Sequence, residues 1–287
     1  MIPDCRYEKE CVPSNSGYMR VSLECLLKDP KACSELISSV RPHNIYICAA
    51  LTWVDGCEVN EEKAFSINSL APGKLAEEAQ KVGAKVVYFS SDYIFDGSSG
   101  PYQESCLPNP VNIYGKSKYE GEKLVLSACP EALILRTTII YGPEEQGKNF
   151  IYQMVYALQK GKEFFCAKDQ IGTPTYNRDL VRMAVGLVKA NAKGVYNCVG
   201  KEVFDRYTFA CKCATLLGYD QDLITGVTTC EAVEGNKAKR GLKLGLNMEK
   251  TLKFLDQKYH PNSLQKNLED WLVRQRGKLL RTGFELQ

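Results

Sequence analysis

Residues 86–97, VVYFSSDYIFDG, and residues 114–126, YGKSKYEGEKLVL, with a Pro- and Asn-rich segment between them, decide how this chain is read. The first stretch is an apolar run ending in Ser90-Ser91-Asp92. Such a run predicts a buried strand that delivers polar side chains at its C-terminal end. The second stretch has helical character and places Tyr114 and Lys118 one turn apart on one face. These residue types suit carbonyl reduction. Hydride addition to a carbonyl leaves an alkoxide that needs a proton. A free tyrosine, with a pKa of about 10, exchanges protons poorly at neutral pH. A nearby ammonium favours the phenolate and lowers that pKa. A serine hydroxyl beside the carbonyl oxygen polarises it and holds the developing charge. Tyr114 is therefore the candidate general acid, Lys118 its tuner and Ser91 the carbonyl polariser. Tyr-x-x-x-Lys by itself is a common surface pattern; the strand and Ser-Ser-Asp ahead of it give it weight here.

Composition bounds the rest. At 287 residues the chain can hold one large domain or a domain with a lobe. Its formal charge of +3 suggests no nucleic-acid surface. The densest basic run, Asn236 to Lys243, reads as a solvated loop. Thirteen cysteines are scattered, with no C-x-x-C and only two histidines. Cys48, Cys166, Cys198 and Cys211 sit in apolar runs, where a thiol behaves as a small hydrophobe. Reduced thiols in a cytosolic protein fit this pattern better than a zinc site or a disulfide framework. With no apolar leader and no membrane-length run, the expectation is a soluble, cytoplasmic protein without metal or membrane partners.

In chain order, residues 1–20 carry little periodic signal. Leu23 to Val40 reads as a helix and Asn44 to Ala50 as a buried parallel strand. Glu58 to Val82 has helical spacing, with Gly83 as its C-cap, before the strand from Val86. Such alternation predicts an α/β fold: a parallel sheet with helices on both faces. Downstream, Ala132 to Gly142 reads as a strand and Asn149 to Lys160 as a helix. Arg178 to Ala190 reads as a helix, Gly194 to Val199 as a short strand and Tyr207 to Leu217 as a helix. Leu223 to Leu246 is loop-like. Asn262 to Gln275 closes the chain as a helix, with Leu264, Leu268, Trp271 and Leu272 on one stripe.

The strand-end Ser-Ser-Asp-Tyr and the Tyr-x-x-x-Lys helix resemble the extended short-chain dehydrogenase/reductase superfamily. Together with RPHNIYICAALTWVD, PYQE and Asp169-Gln-Ile-Gly-Thr-Pro-Thr175, they resemble its dTDP-4-dehydrorhamnose reductase family over roughly residues 35–277. That family also contains the regulatory β subunit of methionine adenosyltransferase. The resemblance implies a Rossmann-like domain with NADP or NAD as cofactor and a nucleotide-sugar as substrate. It implies that Ala49 and Ala50 let the cofactor approach closely and that Asn68 holds the active-site strand. Ser90, Tyr114 and Lys118 join them on the cofactor, Lys118 at the nicotinamide ribose. Asp92, Tyr93, Gln170 and Thr175 match substrate positions. The implied division is a truncated NAD(P)-binding Rossmann-like domain over residues 1–145. Residues 146–287 then form a mixed region, a small α/β substrate lobe with returning Rossmann elements.

Two departures stand out. The family opens with a strand and a G-x-x-G-x-x-G loop whose amides cradle the cofactor pyrophosphate. No such glycine spacing occurs in this chain. The expectation is a fold lacking that first strand and loop, either as part of a longer protein or as a member that has lost the cradle. At Ile139, many bacterial reductases of the family carry a tryptophan that packs on the sugar. Two functions follow from the resemblance. One is an NAD(P)H-dependent reductase of a nucleotide-linked 4-keto-6-deoxy sugar, with a homodimer as one assembly. The other is a non-catalytic regulatory subunit, similar to the methionine adenosyltransferase β subunit, that docks to a catalytic subunit in S-adenosylmethionine synthesis.

Overall fold

A computed structural model describes residues 30–232 and 238–282. Four parallel strands form the central sheet: β1 (Asn44–Ile47), β2 (Lys85–Ser91), β3 (Leu133–Thr137) and β8 (Gly194–Asn197), in the spatial order β1-β2-β3-β8. The register pairs Ile47 with Tyr88, Ser91 with Thr137 and Arg136 with Asn197. Strand β3 is buried at every residue, as expected of a strand covered on both faces.

Alternate residues feed two cores. Val87, Leu133 and Leu135 pack with Leu180, Met183 and Leu187 of helix α7 (Asn177–Lys189). Val86, Tyr88 and Ile134 pack on the other face with Leu75, Ala76 and Ala79 of helix α4 (Ala71–Val82) and Val125 of helix α5 (Ile113–Ala128). Helix α1 (Pro30–Val40) adds Cys33 and Ile37 to that second core. The molecule is thus a Rossmann-like α/β fold with helices on both faces. Among the described residues β1 is an edge strand, and its Tyr46 is 40% exposed.

A lobe is assembled from the later chain. It contains β4 (Ile140–Tyr141), helix α6 (Phe150–Gln159), β5 (Phe164–Ala167), β6 (Ile171–Gly172) and β7 (Thr175–Tyr176). Strand β9 (Phe204–Asp205), helix α8 (Arg206–Leu217), β10 (Ile224–Val227) and the short helix α9 (Thr229–Ala232) follow. After helix α10 (Glu249–Phe254), helix α11 (Leu264–Thr282) closes the chain, with Leu264, Leu268 and Trp271 buried against Tyr141, Phe209 and Tyr152. Strand pairs β4–β7, β5–β10 and β6–β9 build the lobe's framework.

Several expected elements change. Of the helix expected from Leu23, only Pro30–Val40 lies within the described residues. The strand expected to reach Ala50 stops at Ile47, so Cys48 is exposed rather than packed; Cys166 and Cys198 are buried and Cys211 half-buried. The helix expected from Glu58 to Val82 is broken into α2 (Val54–Val59), α3 (Glu61–Phe65), a π turn (Ser66–Leu70) and α4. Asn60 supplies the break: its side chain accepts from Lys63 N and caps α3. The strand expected from Ala132 to Gly142 is interrupted at Thr138-Ile139, where Ile139 has φ 41°. A β-branched residue in that region is an outlier that the surrounding fold must hold. The stretch from Leu223 is not all loop: β10 extends β5, and residues 238–247 run as a strap across the molecule.

Candidate active site

Strand β2 delivers Ser90 and Ser91 to the carboxyl end of the sheet, where ligands of open parallel sheets bind. Ser91 then caps a 3₁₀ turn (Asp92–Ile94), its hydroxyl accepting from Tyr93 N at 3.2 Å. Helix α5 starts opposite this turn. Its N-cap, Asn112, accepts from Gly115 N at 2.8 Å, and Ile113 N donates to Glu58 Oε1 at 2.8 Å. A side chain at Gly115 would collide with the Tyr93 carbonyl, so glycine there allows the helix to press against the turn.

This packing brings Ser91 and Tyr114 into side-chain hydrogen-bond contact. Tyr93 sits edge-on to the Tyr114 ring, with centroids 5.6 Å apart. Lys118 lies one turn along α5, 2% exposed, its ammonium 2.6 Å from the Phe89 carbonyl and over the Tyr88 ring at 4.0 Å. Burial pushes the Lys118 pKa down to about 7, against the opposing pull of Glu122. Burial also pushes the Tyr114 phenol well above its ordinary value, with Ser91 offsetting part of that rise. Desolvation governs the phenol, and the ammonium is committed to Phe89. Tyr114 is protonated at neutral pH, the state a proton donor requires.

Asn68 stands where a structural role predicts it, fully buried in the π turn. Its Oδ1 accepts from Leu51 N at 2.8 Å, and its Nδ2 donates to Leu51 O at 3.1 Å and to Ser117 Oγ at 3.0 Å. It thereby ties the segment after β1, which carries exposed Ala49 and half-buried Ala50, to the Tyr114 helix. A π turn shifts the helical register by one residue, which is how this amide turns inward among residues at helical spacing.

The expected substrate residues divide. Tyr93 and Gln170 are half-buried. Asp92 is 1% exposed, hydrogen-bonded to Thr138, to the Gly245 amide and to Ser91, and burial raises its pKa to about 6. Thr175 is fully buried, its hydroxyl donating to Thr173 O at 3.0 Å. In this structure both side chains are buried and bonded to internal groups. Ile139 accepts from Thr175 N through its carbonyl and lays its side chain over Gly172.

Several supports escaped the sequence reading. Ser117 lies between Tyr114 and Lys118 and carries the Asn68 contact. Tyr88 donates from its hydroxyl to the Asn68 carbonyl at 2.7 Å. Asp55 holds Arg240 and Ala238 N of the strap, and Asn112 donates to Lys239 O. The acidic first turn of α2 and the basic run at 237–243 were visible as charges, but their pairing spans 185 positions. Among the described residues no group of three metal-ligating side chains occurs, and no helix is long and apolar enough to cross a membrane.

The family model for the RmlD substrate binding domain matches residues 9–275. The methionine adenosyltransferase 2 subunit beta of Danio rerio is 33% identical over 254 residues, 82% of this chain and 78% of that protein. Among solved structures, a dTDP-4-dehydrorhamnose reductase from Clostridium acetobutylicum superposes with a TM-score of 0.80 at 30% identity, covering 87% of each chain. The dTDP-4-dehydrorhamnose reductase of Bacillus anthracis, solved in complex with NADP, also gives 0.80 at 30% identity, covering 86% of each chain.

Proposed function

The chain belongs to the RmlD substrate binding domain family, and from that premise we propose that it is an NAD(P)H-dependent reductase of a nucleotide-linked 4-keto-6-deoxy sugar. The observation that carries this reading is the Ser91–Tyr114 contact at the end of β2, with buried Lys118 one turn along α5. Ser91 polarises the keto oxygen, and the protonated Tyr114 donates to the alkoxide as it forms. When bound, the nicotinamide cofactor supplies the hydride.

The residues present fit the nicotinamide-ribose end of such a cofactor. The buried Ser90 hydroxyl has no protein partner, and the Ala49-Ala50 segment is small and open. Lys118 would exchange its bond to the Phe89 carbonyl for a ribose hydroxyl. No glycine loop occurs in the 287 residues, so no residue is assigned to the pyrophosphate.

The second reading is a regulatory subunit that docks to a methionine adenosyltransferase catalytic subunit. It is favoured by the 33% identity to the Danio rerio beta subunit and by Ile139 in place of a tryptophan. The test is titration with NADPH and NADH, followed by nicotinamide fluorescence and by turnover of dTDP-4-keto-6-deoxy sugars, with Lys118→Ala and Tyr114→Phe as controls. Saturable binding weakened by Lys118→Ala, with turnover lost in Tyr114→Phe, is expected. A folded chain that binds neither nucleotide overturns the reductase and leaves the regulatory reading.

A further inference from the structure

The strap at residues 238–247 reaches both members of the Ser91–Tyr114 pair. At its start, Asp55 of α2 accepts from Ala238 N at 3.0 Å through Oδ1 and from Arg240 Nη2 at 2.7 Å through Oδ2. The Arg240 and Asp55 side chains are 14% and 17% exposed, so this ion pair is shielded from solvent. Between those two contacts, the Lys239 carbonyl accepts from Asn112 Nδ2 at 2.9 Å. Asn112 is the N-cap of α5, and its Oδ1 accepts from Gly115 N at 2.8 Å. Ile113 N, next in the chain, donates to Glu58 Oε1 at 2.8 Å. Asp55 and Glu58 are at i and i+3 on α2, hence on one face. The contacts close a triangle: α2 to the strap, the strap to α5, and α5 back to α2. Tyr114 follows directly on the last corner.

At its far end the strap meets the other group. The Gly245 amide hydrogen-bonds to Asp92, whose Oδ1 accepts from Ser91 Oγ at 3.2 Å. The stretch between the two ends is held from both sides. Lys243 N donates to Gly97 O at 2.8 Å, and Gly100 N donates to Lys243 O at 2.9 Å. Ile171 N of β6 donates to Leu242 O at 2.7 Å, and Leu246 N to Thr173 Oγ1 at 3.3 Å. Gly97 and Gly241 pass with their backbones in contact, and a Cβ on either would meet the other segment. Strand β6 belongs to the lobe. One segment thus ties the lobe to the first turn of α5 and to the end of β2.

We propose that this strap is the brace that sets Tyr114 against Ser91, and that Arg240, paired with Asp55, is the positioning residue that locks it. The roles of Ser91 and Tyr114 rest on the reductase reading; the brace itself does not. A capping side chain fixes where a helix starts, not how the helix leans on its neighbours. The Asn112–Lys239 and Ile113–Glu58 bonds fix that lean, and the charge-assisted Asp55–Arg240 bond fixes the strap on which the first of them depends. Reacting groups displaced by about 1 Å lose rate by about 100-fold, so a lock remote from the reacting atoms still acts on turnover.

The test compares wild type, Arg240→Gln and Asn112→Ser, each as the full chain, by hydrogen exchange, NADPH titration and steady-state turnover of dTDP-4-keto-6-deoxy sugars. Asn112→Ser keeps a capping oxygen for Gly115 N and removes the donor to the strap. It also serves if Arg240→Gln does not fold. In both variants the Ile113 and Gly245 amides should exchange about 10-fold faster relative to the Leu135 amide of buried β3, although neither bond is itself removed. The kcat should fall about 10- to 100-fold, with KM and NADPH affinity within about threefold of wild type. Adding Asp55→Asn to Arg240→Gln should lower kcat no further, because the two side chains form one lock; independent losses would multiply. Wild-type exchange at Ile113 and Gly245 in folded Arg240→Gln overturns the brace, and so does acceleration matched at Leu135. Faster exchange with kcat within about twofold of an active wild type overturns the positioning role. A wild type that turns over no keto-sugar overturns the reductase instead, and the exchange rates then decide the brace alone.

Discussion

Replacing Asn68 by alanine tests whether the site is held by one buried amide. The side chain makes three hydrogen bonds, two to the Leu51 backbone and one to Ser117 Oγ, and is 0% exposed. At a net ~0.5–1.5 kcal/mol each, the three sum to about 1.5–4.5 kcal/mol. Two features pull the figure down. Leu51 is half-buried, so its freed N–H and C=O can take water, and Ser117 keeps its donation to Tyr114 O at 2.8 Å. A loss of about 2–3 kcal/mol follows, or about 5–10 °C in melting temperature for a chain of this size. Urea unfolding followed by circular dichroism gives the free energy, and hydrogen exchange at the Leu51 amide gives its location. The segment carrying Ala49 and Ala50 should open with it, weakening nicotinamide-nucleotide binding. A loss below about 1 kcal/mol with unchanged Leu51 protection would refute the reasoning, since that amide has no other described partner to protect it.

The remaining predictions concern buried charge. Lys118 has its pKa lowered by burial to about 7, below its ordinary 10.5, so the unfolded chain binds more protons between those values and stability rises with pH across that window. Lys118→Met should therefore stabilise the fold most below pH 7, with the gain shrinking towards pH 10; equal gains in urea unfolding at pH 6 and pH 9 would contradict this. Arg136 and Glu122 are 4% and 3% exposed at their side chains and form a two-pronged pair at 3.0 and 2.7 Å. Glu122→Gln leaves the guanidinium uncompensated and should cost about 3–5 kcal/mol. The Arg136→Met/Glu122→Leu double variant should be more stable than Glu122→Gln, and the reverse order in chemical unfolding would sink the argument.

What could be read from the sequence was whatever the chain writes locally. Ser91, Tyr114 and Lys118 were legible because a strand tip and one helical turn fix them within 28 positions, and both signals survive tertiary context. The closing helix was legible for the same reason, its stripe of Leu264, Leu268 and Trp271 being one face of one element. Asn68 was placed by resemblance, but the π turn that turns it inward has no periodic signature. Asp92 and Thr175 look like outward polar residues in sequence; only the fold shows the Gly245 amide and the Thr173 carbonyl that absorb them. The strap at 238–247 was invisible because its partners are remote: Asp55 to Arg240 spans 185 positions, and Tyr102 bridges to Leu246. The candidate reactive groups are set by neighbours in the chain. The groups that position them, Asn68 and the strap at 238–247, are set by contacts across it, and sequence pattern reads them least directly.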